Sequence, residues 1–183
     1  MSESAACAVA VLRRGGVIVH PAEAARGLGC DPRNEKAVRH LFGLKSRPAG
    51  AAALLIDADF AQLPAGVGPC PEEAIARAAA SWPGPVTGAF PGKSEVPASI
   101  VGEHAGIALR VTAHRVAREL CVAFGGALVS TSANRRGGPP MQTAAQVREA
   151  FAGELDALVA GELGGLERPT PIRDAISGEV VRN

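Results

Sequence analysis

The sequence contains no tyrosine, a single tryptophan and five phenylalanines, so aromatic residues make up only 3% of its 183 residues. Proteins dedicated to single-stranded nucleic acid stack successive bases on aromatic rings. So few rings argue against a dedicated RNA-binding module. They also mean that alanine, valine, leucine and isoleucine must fill the core, which a hydrophobic content of 47% allows.

Excess charge and paired cysteines are also missing. Nineteen basic residues face 18 acidic ones, so the net charge of +1 does not indicate a strongly basic nucleic-acid protein. The four cysteines form no C-x-x-C pair, and their spacing fits neither a zinc site nor a disulfide scaffold. No apolar run approaches a membrane span, and no basic segment with a long apolar stretch opens the chain. We expect a cytoplasmic protein with no membrane contact.

Several common catalytic signatures cannot be found. There is no P-loop, no G-x-G-x-x-G fingerprint and no G-x-S-x-G elbow. The four histidines stand at no metal-ligand spacing. We therefore expect no protein-bound metal.

Strand and helix patterns interleave along the whole chain. Buried strands are predicted at 16–20, 52–57, 86–90, 106–111, 127–130 and 156–160, with a closing hairpin over 171–183. Helices are predicted after the caps Asn34 and Thr143, after Pro71, and from His114 to Phe124. This order predicts a single α/β domain over residues 1–183 with an open, mixed sheet flanked by helices.

Polar residues concentrate where these elements end, which is where α/β sheets usually bind ligands. The exits read PAEAARGLGCD (21–31), KSRP (45–48) and TSANRRGG (131–138), and Arg110 interrupts an apolar strand. The pattern predicts a polar, cationic cleft for an anionic ligand.

Each candidate group has a structural alternative. Lys45 and Arg47 suit a polyanion, but cations also favour the ends of helices. Arg110 either faces the cleft or forms a buried ion pair, with Asp174 or Glu23 as its partner. The polar run 130–134 can bind phosphate or ribose oxygens, or it can cap a turn.

Taken together, the segments resemble one family. HPAEAARGLGCD, LKSRP, WPGPVT, IALRVTAH, LVSTSAN and IRDAISGEVVR occur in this order from about residue 16 to 182. They resemble the YrdC-like family of threonylcarbamoyl-AMP synthases, in its short, single-domain bacterial form. The resemblance implies a twisted sheet around a large, concave, positively charged cleft. It also implies condensation of L-threonine, bicarbonate and ATP to threonylcarbamoyl-adenylate and pyrophosphate, for threonylcarbamoyladenosine modification of tRNA.

The resemblance assigns roles to single residues. Lys45 and Arg47 would hold phosphates and offset charge as pyrophosphate leaves. Ser132, Asn134 and Arg182 would contact the nucleotide. Arg110, Ser130 and Thr170 would contact threonine, with a neighbouring phosphate as the alternative for Arg110 and the nucleotide as the alternative for Thr170. Mg²⁺ would arrive with ATP, and the partners would be the proteins of the tRNA threonylcarbamoyl-transferase complex, with direct tRNA contact also open.

The chain departs from the family pattern in motifs that line the cleft. Ala22 replaces a threonine, Arg26 an aromatic, Ala51–Ala53 a basic residue, and Gly88 a larger apolar residue. An inward-facing Arg26 could compensate for the missing cation. Two alternatives to an active synthase follow: a degenerate relative that binds nucleotide or RNA, and a carbamoyl-phosphate-linked enzyme of hydrogenase maturation. The short chain argues against the second.

Overall fold

The computed structural model describes residues 5–48, 51–61, 66–94, 96–101 and 106–182. Its helices are α1 Ala5–Arg13, α2 Glu35–Leu44, α3 Glu72–Ala79, α4 Ala98–Val101, α5 Arg115–Phe124 and α6 Ala144–Ala150. Its strands are β1 Ile18–Pro21, β2 Arg26–Cys30, β3 Leu54–Asp57, β4 Thr87–Pro91, β5 Gly106–Val111, β6 Leu128–Ser132, β7 Ala157–Leu158, β8 Ile172–Asp174 and β9 Val180–Arg182.

All of these strands belong to one mixed sheet. Its order is β7-β1-β2-β6-β3-β5-β4-β8-β9. The pairs β1–β7, β3–β5 and β4–β8 are parallel, and the other neighbours are antiparallel. The predicted open, mixed α/β sheet is confirmed, and so is the closing hairpin, which is β8–β9.

Helices cover both faces of the sheet, because successive strand residues point to opposite sides. Ile18, Ile56 and Leu128 pack with α1 and α5 in one apolar cluster. Their neighbours in the strands, including Val19 and Val129, pack with α2 in a second cluster. Each fully buried aliphatic side chain contributes about 1.5–3 kcal/mol. Two aliphatic cores therefore hold the domain together with few aromatic rings.

The predicted helix caps are in place. Asn34 accepts hydrogen bonds from the amides of Lys36 and Ala37 at 3.1 and 3.2 Å. Thr143 and Gln146 form a reciprocal capping box at the start of α6. Because these side chains satisfy amides that a helix leaves unpaired, each cap fixes where its helix begins.

One segment that the sequence predicts to be a loop contains a strand. Residues 21–31 were expected to leave the sheet, but β2 forms within them and pairs with both β1 and β6. Gly27 and Gly29 obscured it, since glycine has a low strand propensity. They are required here: a Cβ on Gly27 would lie 3.0 Å from His20 Nε2, and one on Gly29 would lie 3.1 Å from the Val129 carbonyl oxygen. Close packing beneath the strand accounts for both glycines.

Two further properties concern only the described ranges. No helix within them is long and apolar enough to cross a bilayer. Within those same ranges, no three His, Cys, Asp or Glu side chains gather as a metal site would require.

Candidate functional site

Lys45 joins two distant parts of the chain. It is the C-cap residue of α2, and its Nζ donates to the Ser132 carbonyl, to the Asn134 carbonyl at 3.1 Å and to Asn134 Oδ1 at 2.8 Å. Burial, and then the neighbouring charge of Arg47, lowers the pKa of Lys45 to about 8. The structure therefore brings together Lys45, Ser132 and Asn134. With a pKa of about 8, the Lys45 ammonium is mostly charged at pH 7 and loses its proton at slightly higher pH.

The Ser132–Asn134 turn is capped by its own side chains. Ser132 Oγ donates to Asn134 Oδ1 at 2.6 Å. Asn134 Nδ2 donates to the carbonyls of Arg135 and Gly138 at 3.1 and 2.9 Å. Asn134 therefore caps the turn from within, and Ser132, which bonds to it, is exposed at the end of β6.

Arg47 lies beside this turn, over the ring of Phe42 at 5.3 Å. Its Nη2 donates to the Ala52 carbonyl at 2.7 Å, and Nη1 makes a weak contact of 3.5 Å with Thr131 Oγ1. Burial lowers the pKa of Arg47, and the charge of Arg182 lowers it further. Arg182 in β9 therefore lies near enough to repel Arg47. We call Lys45, Arg47, Ser132, Asn134 and Arg182 the lysine group.

Ser46 positions the two cations. The Arg47 amide donates to the Phe42 carbonyl and the Ser46 amide to the Gly43 carbonyl, both at 2.9 Å. This is the Schellman pattern, which normally places glycine where Ser46 stands at φ 50°. A left-handed residue between Lys45 and Arg47 ends α2 abruptly and turns the chain toward the sheet.

Arg110 forms a buried ion pair, which is one of the two alternatives that the sequence allowed. Its Nη2 donates to Glu23 Oε2 at 3.1 Å, and its Nη1 to Thr170 Oγ1 at 2.5 Å. Thr112 Oγ1 donates to the other Glu23 oxygen at 2.5 Å. The Arg110 and Glu23 side chains are 5% and 8% exposed. We call these four residues the arginine network.

Glu23 is the partner of Arg110, and Asp174 is not. Asp174 instead accepts the amides of Ile176 and Ser177 at 2.9 and 2.7 Å within the β8–β9 turn. Burial lowers the pKa of Arg110, and the charge of Glu23 opposes that shift. Within the described residues, Arg110 Nε has no hydrogen-bond partner. One guanidinium donor is therefore left unused.

Ser130 connects the site to a histidine that the sequence analysis did not select. His20 Nδ1 lies 3.0 Å from the Pro21 carbonyl, which makes it the protonated nitrogen, and Nε2 lies 3.4 Å from Ser130 Oγ. Burial lowers the pKa of His20 to about 4, so it is neutral at pH 7. Ser130 and Ser132 share one face of β6, since they are two residues apart. This face links the lysine group to the surroundings of His20.

The departures from the family pattern have structural reasons at three positions. A Cβ on Gly88 would lie 2.6 Å from the ring of Phe90, so a larger side chain would displace that ring. Arg26 is buried, and its guanidinium donates to main-chain carbonyls of residues 142, 159 and 161. Ala53 is buried at the entry to β3. Nothing in the structure explains alanine at position 22.

Glu23, Thr112 and His20 are the polar site residues that sequence reasoning did not place in the site. Of these, only Glu23 was indicated by the sequence, as one of the two acids that could pair with Arg110. Thr112 and His20 lie at strand ends, where a polar residue is ordinary.

Comparisons with known proteins show the family of the chain. The family model Sua5_yciO_yrdC, described as "Telomere recombination", matches residues 10–183. The threonylcarbamoyl-AMP synthase of Halorhodospira halophila is 51% identical, over 96% of this chain and 92% of its own length. That of Coxiella burnetii (strain RSA 493) is 46% identical, over 96% of this chain and 94% of its own length.

Solved structures of P. abyssi Sua5 have the same fold. A variant superimposes with a TM-score of 0.90 at 30% identity, covering 97% of this chain and 55% of Sua5. The complex with L-threonine superimposes with a TM-score of 0.87 at 31% identity, covering 93% of this chain and 50% of Sua5. This chain therefore spans about half the length of P. abyssi Sua5.

Proposed function

The chain belongs to the Sua5/YciO/YrdC family, and from this membership we propose that it is a threonylcarbamoyl-AMP synthase. It condenses L-threonine, bicarbonate and ATP into threonylcarbamoyl-adenylate, pyrophosphate and water. The observation that carries this proposal is the 51% identity to a synthase of nearly the same length. The Sua5 relative in complex with L-threonine supports the amino-acid substrate.

We assign ATP to the lysine group. Lys45 and Arg47 supply positive charge near the exposed end of β6, where Ser132 supplies a hydroxyl, and the charge of Arg182 acts on Arg47. Fixed cations of this kind stabilise charge that develops on a leaving pyrophosphate without rearranging first. Lys45 and Arg47 are then the catalytic residues, and the Asn134 side chain acts by shaping the turn that holds Ser132 and Lys45.

We assign threonine to Arg110, Ser130 and Thr170. A guanidinium binds a carboxylate well, and Arg110 retains an unpaired Nε donor for one. Thr170 Oγ1 already accepts a hydrogen bond from Arg110 Nη1 at 2.5 Å, so these two residues lie together in the structure.

We propose that Mg²⁺ accompanies ATP rather than occupying a site of its own. The described residues hold no group of three acidic or histidine ligands, which fits binding mainly through the phosphates. The adenylate would pass to the tRNA threonylcarbamoyl-transferase proteins in the cytoplasm, with or without direct tRNA contact. A single domain over residues 1–183 is supported by one sheet that joins every described strand.

Neither alternative function is favoured. The relatives at 46–51% identity carry the synthase name over nearly their full length. A cationic concave cleft stays a prediction, supported by the approach of Arg47 and Arg182.

The direct test is pyrophosphate release by the purified protein with ATP, Mg²⁺ and bicarbonate, with and without L-threonine. We expect release that depends on threonine, and a loss of at least about 100-fold in Lys45→Ala. Arg115→Ala, which alters only an exposed ion pair on α5, is the matched control and should keep full activity. The proposal would be contradicted if pyrophosphate were released at the same rate without threonine, or if the folded protein released no pyrophosphate.

A further inference from the structure

Arg26 is a buried arginine that no carboxylate neutralises. The residue is 9% exposed, and among the described residues no acidic side chain lies within ion-pair distance of it. Its guanidinium donates instead to three main-chain carbonyls. Nε donates to that of Gln142 at 3.3 Å, Nη1 to that of Val159 at 3.3 Å and Nη2 to that of Gly161 at 2.8 Å. Burying a charge is costly unless strong acceptors surround it, so these bonds explain how arginine is tolerated here.

The first of these bonds reaches the loop that follows the Asn134 turn. The backbone of Arg26 holds the same loop, because its amide donates to the Met141 carbonyl at 2.8 Å and its carbonyl accepts the Ala133 amide at 2.7 Å. The Met141 amide returns to the Ala133 carbonyl at 2.9 Å. Arg26 therefore bonds to both ends of the loop 133–142.

The other two bonds reach residues 159–170, which we call the strap. The strap runs over the loop after β1: the Gly164 amide donates to the Ala22 carbonyl, and the Leu166 amide to the Glu23 carbonyl, both at 3.0 Å. A Cβ on Gly164 would lie 2.9 Å from Glu23 Cα, so the two backbones are in direct contact. The strap thus covers Glu23 and delivers Thr170 to Arg110.

We propose that Arg26 is a positioning residue that clasps the strap to the loop 133–142. It thereby sets the distance between the two halves of the site, the lysine group and the arginine network. This proposal rests on the proposed synthase activity for its catalytic consequence, but the clasp itself is a property of the folded chain. An aromatic side chain at position 26 could not donate to any of these carbonyls, so the clasp is a device of this chain's own sequence.

The competing role for Arg26 is a phosphate ligand that compensates for the missing cation near Ala51–Ala53. The contacts favour the clasp, because Nε, Nη1 and Nη2 each donate to a main-chain carbonyl and together fix the guanidinium between the loop and the strap. The two roles differ in what they require. A phosphate ligand needs the charge, whereas a clasp needs the planar fork of donors that lysine lacks.

Hydrogen exchange on the ligand-free protein tests the clasp without any assay of activity. We expect Arg26→Gln and Arg26→Lys each to speed exchange of the Gly164 and Leu166 amides by about tenfold or more, with a smaller gain at Met141. Arg115→Ala should leave these amides unchanged. If the Gly164 and Leu166 amides of a folded Arg26→Gln protein exchanged as slowly as in the wild type, the proposal would be wrong. It would also be wrong if these amides exchanged at the wild-type rate in Arg26→Lys.

Gly161→Ala perturbs the strap by a separate route. Its Cβ would lie 2.9 Å from Pro21 Cγ and 3.0 Å from Val116 Cγ2, at φ +142°. Exchange should rise at Gly164 and Leu166 but not at Met141, since the bond from Arg26 to Gln142 is untouched. Unchanged exchange at Gly164 and Leu166 in this variant would contradict the proposal, because the bond from Arg26 Nη2 to the Gly161 carbonyl would then not hold the strap. This variant also serves if Arg26→Gln fails to fold.

Steady-state kinetics then separate positioning from phosphate binding. A clasp predicts that Arg26→Lys and Arg26→Gln both raise the KM for threonine about tenfold, and the KM for ATP less, because two of the three bonds go to the strap. A phosphate ligand predicts that only Arg26→Gln raises the KM for ATP, which would refute the clasp. If the wild-type protein were inactive, the proposed function would fail while the exchange result still decided the clasp.

Discussion

At the scale of single residues, the site depends on two buried cations that are held in opposite ways. Lys45 is surrounded by carbonyl and amide oxygens, and its hydrogen-bond partners within the described residues include no acid. Arg110 is neutralised by Glu23. Lys45 can therefore lose its charge within the working pH range, whereas Arg110 keeps its charge and its stability depends on one carboxylate.

The lowered pKa of Lys45 predicts a pH dependence. Because burial lowers this pKa to about 8, the ammonium is charged below pH 8 and neutral above it. We expect kcat/KM for ATP to fall as the pH rises through about 8. The guanidinium introduced by Lys45→Arg would stay charged, so that variant should be less active overall but lack this alkaline decline. A pH–rate profile of both proteins checks it, and an identical decline in Lys45→Arg would assign the titration to another group.

Removing one member of the Arg110–Glu23 pair leaves the other charge buried alone. We expect Arg110→Met and Glu23→Gln each to lower the free energy of unfolding by about 3–5 kcal/mol. The double variant should lose clearly less than the sum, since it buries no unpaired charge. Urea denaturation of the four proteins measures the coupling. Additive losses would mean that the two side chains do not stabilise each other.

At the scale of elements, the predicted helix caps were correct, whereas strand β2 and the short helix α4 were missed. Asn34 and Thr143 were found as caps because their bonds are local and need only a few neighbouring residues. β2 was missed, and β6 proved to extend to Ser132 rather than ending at Ser130, because both depend on partners far along the chain. The polar residues Thr131 and Ser132 are strand residues only because Leu28 and Gly27 lie opposite them.

The same limit applies to the site. The sequence and its family resemblance selected Lys45, Ser132 and Asn134, which the structure brings into contact. The sequence could not decide which acid pairs with Arg110 or which groups the Arg26 side chain contacts. Both depend on the position of the strap in the folded chain.

The end of α2 offers a test at this scale. Ser46 occupies a left-handed position that suits glycine, so Ser46→Gly should raise the free energy of unfolding by about 1 kcal/mol. The matched reverse change is Gly125→Ser at the end of α5. There φ is +90° and an added Cβ would meet no atom within 4 Å, so conformation alone should cost a similar amount. Thermal denaturation of both variants measures it, and a destabilised Ser46→Gly would mean that the serine makes an offsetting contact.

At the scale of the whole molecule, charges from distant elements influence each other. Arg182 belongs to the last strand in the sheet order, yet its charge still lowers the pKa of Arg47. The family resemblance named both residues, but only the three-dimensional course of the sheet relates them to each other.

This geometry predicts that Arg182 contributes to ATP binding and little to stability. Arg182→Gln should raise the KM for ATP about tenfold, the size expected from losing one hydrogen bond to a charged group. Arg173→Gln in the neighbouring strand β8 removes the same charge from an exposed position and is the matched control. Initial rates at varied ATP measure both, and an equal rise in the two variants would point to general charge rather than to Arg182.

The pairing of early strands with late ones has a consequence for biosynthesis. β1 and β2 are made before the other strands, but their outer neighbours in the sheet are β7 and β6, which follow about 100 to 140 residues later in the chain. Contacts so distant in sequence form late, because the loops that close them must be ordered first. A nascent chain that ends before β6 therefore leaves the outer edges of the β1–β2 hairpin unpaired, and the growing polypeptide needs protection from aggregation until β6 and β7 have been made.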